Sequence, residues 1–119
     1  MKIAITAIEN SWESQVDSRF GRAAGFIIFD SESGEYKFIK NIQNLNATQG
    51  AGIQTAQNII NNGVEVLITG HVGPKAFRVL NSSNITIYYC ETITLKEALN
   101  AYEENRLQIA SKPDKEGHW

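Results

Sequence analysis

Val64-Glu65-Val66-Leu67-Ile68-Thr69-Gly70-His71-Val72-Gly73-Pro74-Lys75-Ala76-Phe77 decides the fold of this chain. The apolar run Val64 to Ile68 reads as a buried strand that breaks at Gly70. Pro74 suits the first turn of a helix, where no N–H donor is needed. A strand end feeding a helix through glycines also brings free backbone N–H groups and the positive end of the helix dipole to one place, which makes an anion site. His71 adds an imidazole there and Lys75 an ammonium. Taken alone, the segment reads equally well as a plain strand-to-helix turn.

Upstream, Lys2 to Ala7 alternates Ile3, Ile5 and Ala7 against Lys2, Ala4 and Thr6, the period of a first strand. Ile8 to Gly25 shows neither period and is long for a connection inside a small domain; such loops are usually functional or mobile. Phe26 to Asp30 and Tyr36 to Lys40 form two more strands. The turn Ser31-Glu32-Ser33-Gly34 makes them an antiparallel hairpin. After an Asn44–Gly50 loop, Ile53, Ala56, Ile59 and Ile60 share one helical face, and Gly63 is the stop. Downstream, a second helix covers about Pro74 to Ser82, and Ile85 to Tyr89 is the fifth strand. Thr94 and Glu97 have the spacing of a capping box at the start of a third helix.

The order βββαβαβα and right-handed crossovers give an α/β three-layer sandwich. Its mixed sheet has five strands in the order 3-2-1-4-5, with strand two antiparallel and helices on both faces. The Ile8–Gly25 loop, the Asn41–Gly50 loop, Gly70–Gly73 and Cys90–Ile93 then leave the sheet at one rim. Between strands one and four the connections depart in opposite directions. Open α/β sheets place ligands at such a switch point. One domain over residues 1–109 is expected, followed by a flexible tail at 110–119.

Composition narrows the function. The chain has 119 residues, 42% hydrophobic and 20% charged, with a net charge of −2. This is one soluble domain without a global basic field for nucleic acid or membrane. Between Asn41 and Cys90 the only acid is Glu65, so an anion meets little repulsion there. Cys90 is the only cysteine, so there is no internal disulfide and no set of four thiolates for an ordinary iron–sulfur cluster. No signal segment or membrane-length apolar run is found, and a cytoplasmic location is expected.

Candidate ligand contacts follow from the rim. Gln49-Gly50-Ala51-Gly52-Ile53 opens the first helix, and its glycines serve either close approach of N–H groups to an anion or helix packing. As a dinucleotide fingerprint it fails, because position 55 is Thr. Arg19 and Arg22, in Asp17-Ser18-Arg19-Phe20-Gly21-Arg22, can fork onto an anion or pair with a neighbour such as Asp17. His71 and Cys90, at the ends of neighbouring strands, are candidate soft metal donors; a cysteine at a strand end is otherwise a small core residue. His118 lies in the tail and carries no role. There is no nucleophile elbow, no Walker loop and no carboxylate pair at the strand ends, so catalysis is not expected.

Met1-Lys2-Ile3-Ala4, Val16-Asp17-Ser18-Arg19-Phe20-Gly21-Arg22-Ala23, Gly50-Ala51-Gly52 and Gly70-His71-Val72-Gly73-Pro74-Lys75-Ala76 together resemble the dinitrogenase iron–molybdenum cofactor biosynthesis family. That family takes in NifX-like proteins and the C-terminal part of NifB-like proteins. The resemblance runs from Met1 to about Leu107. It implies a ribonuclease H-like fold and the binding or carriage of an anionic metal–sulfur cluster or its precursor, of the iron–molybdenum type. A purified chain need not retain that cargo. It also implies a cluster donor or acceptor protein as partner, with the chain itself a monomer or weak dimer. A related member, the orange protein, holds a molybdenum–copper–sulfide cluster without covalent attachment. On this resemblance Arg19, Arg22, Gly50, Gly52, Gly70, His71, Gly73 and Lys75 are the candidate cofactor contacts, with His71 and Cys90 as metal donors. The other reading is a regulatory or interaction module that recruits a partner along the edge at strand three or five.

Overall fold

In the computed structural model, residues 1–43 and 50–113 are described. The strands are β1 (Lys2–Ala7), β2 (Gly25–Asp30), β3 (Tyr36–Lys40), β4 (Val66–Thr69), β5 (Thr86–Tyr89) and β6 (Gln108–Ile109). The helices are α1 (Ala51–Asn61), α2 (Pro74–Ser82) and α3 (Leu95–Glu103). The sheet order is β3-β2-β1-β4-β5-β6. β1 runs parallel to β4 and β4 parallel to β5, while β2 is antiparallel to both β1 and β3. The expected five-strand order is therefore present, extended by one strand.

That sixth strand is a correction. β6 pairs antiparallel with β5, setting Tyr88 opposite Ile109 and Tyr89 opposite Gln108. The pairing continues as the Ala110 N–H donates to the Ile87 carbonyl at 2.7 Å, and the Tyr89 hydroxyl reaches the Lys112 carbonyl at 3.3 Å. A two-residue strand is too short to show a period, which is why the tail looked loose from Ala110. It also removes β5 from the sheet edge, so among the described residues the edge strands are β3 and β6. Residues 44–49, which include Gln49 and most of the second loop, and residues 114–119, which include His118, lie outside the described residues.

Both faces of the central strands are buried, and the alternation in β1 shows how. Ile3, Ile5 and Ala7 join Val66, Ile68, Leu95 and Ala98 under α3. Ala4 joins Leu67, Phe26, Ala56, Ile59, Ala76 and Leu80 under α1 and α2. A full side chain buried in this way contributes about 1.5–3 kcal/mol. Thr6 and Thr69 also face α1 and α2, at the end of their strands, and both are wholly buried. The Thr6 hydroxyl lies 2.8 Å from Thr69 Oγ1 and 2.7 Å from the Asp17 carbonyl. The core therefore turns polar at the rim where the loops gather. α3 opens with the expected capping box: Thr94 Oγ1 accepts the Glu97 N–H, and Glu97 Oε1 accepts the Thr94 N–H, each at 3.1 Å.

Candidate functional site

The long connection after β1 is not a free lid. Val16 pairs across Ala7, Gln15 across Thr94 and Arg19 across His71. The Val16 N–H donates to the Ile93 carbonyl at 2.8 Å, Asp17 N–H to Thr6 at 3.0 Å and Phe20 N–H to His71 at 3.2 Å. Val16 is 1% exposed and Phe20 is not exposed at all, so apolar anchors hold what the backbone bonds stitch. Phe20–Arg22 closes as a single 3-10 turn. The aperiodic sequence hid this because isolated bridges and one anchoring ring impose no repeat.

Gly70 explains how this segment reaches the end of β4. A Cβ on Gly70 would stand 2.7 Å from the Ser18 carbonyl oxygen and 2.8 Å from the Ser18 Cα. Those are backbone atoms that cannot swing aside. Gly70 therefore builds the site by admitting the Ser18 segment. Gly52 has a similar role: a Cβ there would lie 3.2 Å from the Cβ of Ala76, so the first turns of α1 and α2 touch. Of the two readings the sequence left for Gly52, helix packing is the one with a visible contact.

The two touching helix starts are alike. Gly50 and Gly73 are the N-caps, both extended and both without a side chain to cap the turn. Among the described residues, no acceptor is found for the first-turn N–H groups of Ala51, Gly52, Ile53, Lys75 or Ala76. Pro74 has none to offer. A Cβ on Gly50 would meet nothing within 4 Å among the described residues. Orphan N–H donors and two positive dipole ends thus converge. Arg22 and Lys75 are exposed beside them, and the Arg19 side chain is half exposed. Arg19 is placed by its bridge to His71, and Arg22 by the 3-10 turn that packs against α1. The arrangement suits a compact polyanion: donors that need no deprotonation, cations around them and no thiolate among them.

A network that sequence reasoning missed ties these parts together. Gln43 Nε2, with two hydrogens to give, lies 2.7 Å from the Gly21 carbonyl, 3.1 Å from the Ala51 carbonyl and 3.0 Å from Thr55 Oγ1. The Thr55 hydroxyl, wholly buried in α1, lies 2.9 Å from the Ala51 carbonyl and 3.0 Å from Asn41 Oδ1. Asn41 in turn donates to the Ala23 carbonyl at 3.0 Å. The exit of β3, the Arg22 turn and the start of α1 are thereby held in one register. The available signal was Thr55 on the apolar face of a helix, since a buried hydroxyl must find a partner.

His71 is half-buried, and its main chain holds the Phe20 segment. Cys90 does reach the same rim, its N–H donating to the Thr69 carbonyl at 3.0 Å. Its side chain packs with the cluster under α3 and lines a cleft of about 340 Å³ with Ile93, Ala101, Leu107 and Ile109. Burial, with Glu91 adding to it, pushes the thiol up to about 11. Such a thiol is protonated at neutral pH, and the thiolate is the metal-binding form. Among the described residues, no three of His, Cys, Asp and Glu gather to hold a metal ion. Nor is any described helix long and apolar enough to cross a membrane.

A family model described as dinitrogenase iron-molybdenum cofactor matches residues 1–105. An uncharacterized protein of Methanocaldococcus jannaschii is 34% identical over 110 residues, covering 91% of this chain and 90% of its own. The apo form of the orange protein from Desulfovibrio gigas superposes with a TM-score of 0.89 at 36% identity, over 96% of each chain. A NifB-like protein from Thermotoga does so with a TM-score of 0.83 at 34% identity, over 98% of each. With the family model spanning almost all of its length, this chain belongs to the dinitrogenase iron–molybdenum cofactor family.

Proposed function

We propose that the chain binds and carries an anionic metal–sulfur cluster or its precursor at the rim formed by the starts of α1 and α2, without catalysing a reaction on it. One observation carries this reading. The first-turn N–H groups of two touching, glycine-started helices lack acceptors among the described residues, and Arg19, Arg22 and Lys75 stand beside them. Family membership supports the class of cargo. The similarity to a protein whose structure is of an apo form supports a group that comes and goes. Gly50, Gly73 and the three cations are the contacts proposed here, with His71 closing the rim. Cys90 supplies a metal bond only if the cargo itself displaces the thiol proton. In this reading the cargo comes from, or passes to, a second cytoplasmic protein.

The test is anaerobic titration of the full chain with tetrathiomolybdate, a sulfido-metalate dianion followed by its own absorption. Saturable binding that weakens with salt is expected, because exposed charges are screened over about 8 Å at physiological ionic strength. The combined Arg19→Ala, Arg22→Ala, Lys75→Ala variant should lose that binding while keeping its circular dichroism. Binding indifferent to both salt and the three cations would overturn the reading. One observation favours a second reading: β3 is an open sheet edge, with Tyr36 48% exposed. Stable capture of a partner by metal-free chain, lost on substitution in β3, would favour an interaction module instead.

A further inference from the structure

A buried carboxylate sits where an anion receptor should be purely cationic. Asp17 is 8% exposed, at the ends of β1 and β4. Its backbone is clamped there, the N–H donating to the Thr6 carbonyl at 3.0 Å and the carbonyl accepting the Thr6 hydroxyl at 2.7 Å. Its Oδ1 accepts the Arg19 N–H at 3.1 Å and lies 4.0 Å from Arg19 Nε. The backbone contact explains a hydrogen-bond acceptor at position 17; it does not require a charge, since an amide oxygen would serve. Among the described residues, Arg19 is the candidate cation with a carboxylate beside it.

Resting on the carrier reading above, we infer that Asp17 is the residue that sets release: a resident carboxylate competing with the bound anion for the Arg19 guanidinium. A carrier must give up its cargo. With Arg19 partly neutralised from within, the rim holds an anion less tightly, and Arg19 has a partner to return to when the anion leaves. Asp17 acts through Arg19 and is a positioning residue, with no contact to the cargo required.

Asp17→Asn keeps the acceptor for the Arg19 N–H and removes the charge. Coulomb energy scales with the charge of the ligand. The substitution should therefore tighten a dianion twice as strongly, on a logarithmic scale, as a monoanion of similar size. We expect about tenfold for tetrathiomolybdate, with slower dissociation, and about threefold for perrhenate. In the Arg19→Ala background the same substitution should gain much less, because the pair couples directly. A purely structural role would shift both anions by one factor, or weaken both, and either result overturns the inference. If Asp17→Asn does not fold, the wild-type background still decides. Arg19→Gln should then cost less dianion affinity than Arg22→Gln, and an equal or larger cost overturns the inference. Failure of the wild-type chain to bind either anion would overturn the carrier reading and this inference with it. Binding by the wild type with Asp17→Asn unchanged would overturn the inference alone.

Discussion

Helices α2 and α3 both begin at the rim where the loops gather, after a parallel strand, yet they treat their first turns in opposite ways. In α3 every early donor is spent. Leu95 N–H goes to the Ser14 carbonyl at 2.8 Å, Lys96 N–H to Trp12 at 3.0 Å and Glu97 N–H to Thr94 Oγ1 at 3.1 Å. In α2, and in α1 beside it, a glycine stands at the N-cap and the donors have no acceptor among the described residues. One face of the sheet spends its helix-start donors on the protein, and on the other face those donors meet no acceptor among the described residues. Glycine at an N-cap falls only a few tenths of a kcal/mol short of a self-capping residue, so these two starts stay uncapped at small cost to the fold.

The largest expected effect breaks the open side outright. Gly70→Ala drives a Cβ into the Ser18 backbone and should cost about 1–3 kcal/mol by overpacking, read as a lower melting temperature. It should also expose the amides of Asp17 and Phe20 to hydrogen exchange. Unchanged protection there would show that Gly70 is not what admits the segment.

Next comes conversion of an open start into a closed one. Gly50→Asp meets no described atom within 4 Å of its Cβ and gives α1 a cap. Stability should hold or rise by a few tenths of a kcal/mol, while tetrathiomolybdate affinity falls about tenfold or more because the new carboxylate occupies the donors. Undiminished binding would place the anion away from α1.

The reverse conversion is smaller. Thr94→Ala should destabilise the chain by about 1 kcal/mol and leave anion binding unchanged. Hydrogen bonds from Thr94 hold Glu97 below the usual carboxylate range. A depressed carboxylate stabilises the fold above its ordinary range and loses that contribution as pH falls through its folded value. Alanine keeps the Thr94 N–H and removes only the hydroxyl's share, so the gap in melting temperature between wild type and Thr94→Ala should narrow slightly in acid, and a gap that widens would argue against the hydroxyl as a partner of the Glu97 carboxylate.

The smallest effect on the fold sharpens the electrostatics. Arg22→Ala and Lys75→Ala should each change stability by less than about 0.5 kcal/mol, as exposed substitutions usually do, while flattening the salt dependence of anion binding. A large loss of stability from either would mean that the side chain packs rather than waits for a ligand.

Much of this was written in the chain itself. Period two in Lys2–Ala7, the hairpin turn before Tyr36, proline at the start of α2 and the Thr94–Glu97 box are local signals, and the structure keeps each at its place. Connectivity then put the loops on one rim, because a right-handed crossover leaves little freedom once the elements are known. Arg19, Arg22, Gly50, Gly73 and Lys75 were legible as a cationic, glycine-rich set for the same reason. Tertiary structure alone decided the rest. β6 exists only because β5 offers an edge to pair with. Gly70 and Gly52 are glycines because of Ser18 and Ala76, residues distant in sequence. Cys90 is a candidate metal donor by position, and partial burial against the cluster under α3 pushes its thiol up to about 11. Gln43, Thr55 and Asn41 hold the register of the site through contacts that no spacing predicts. Periodicity and caps are properties of neighbours along the chain. Burial, close approach and the pairing of Arg19 with Asp17 beside the end of β4 are properties of neighbours in space, and only folding brings those together.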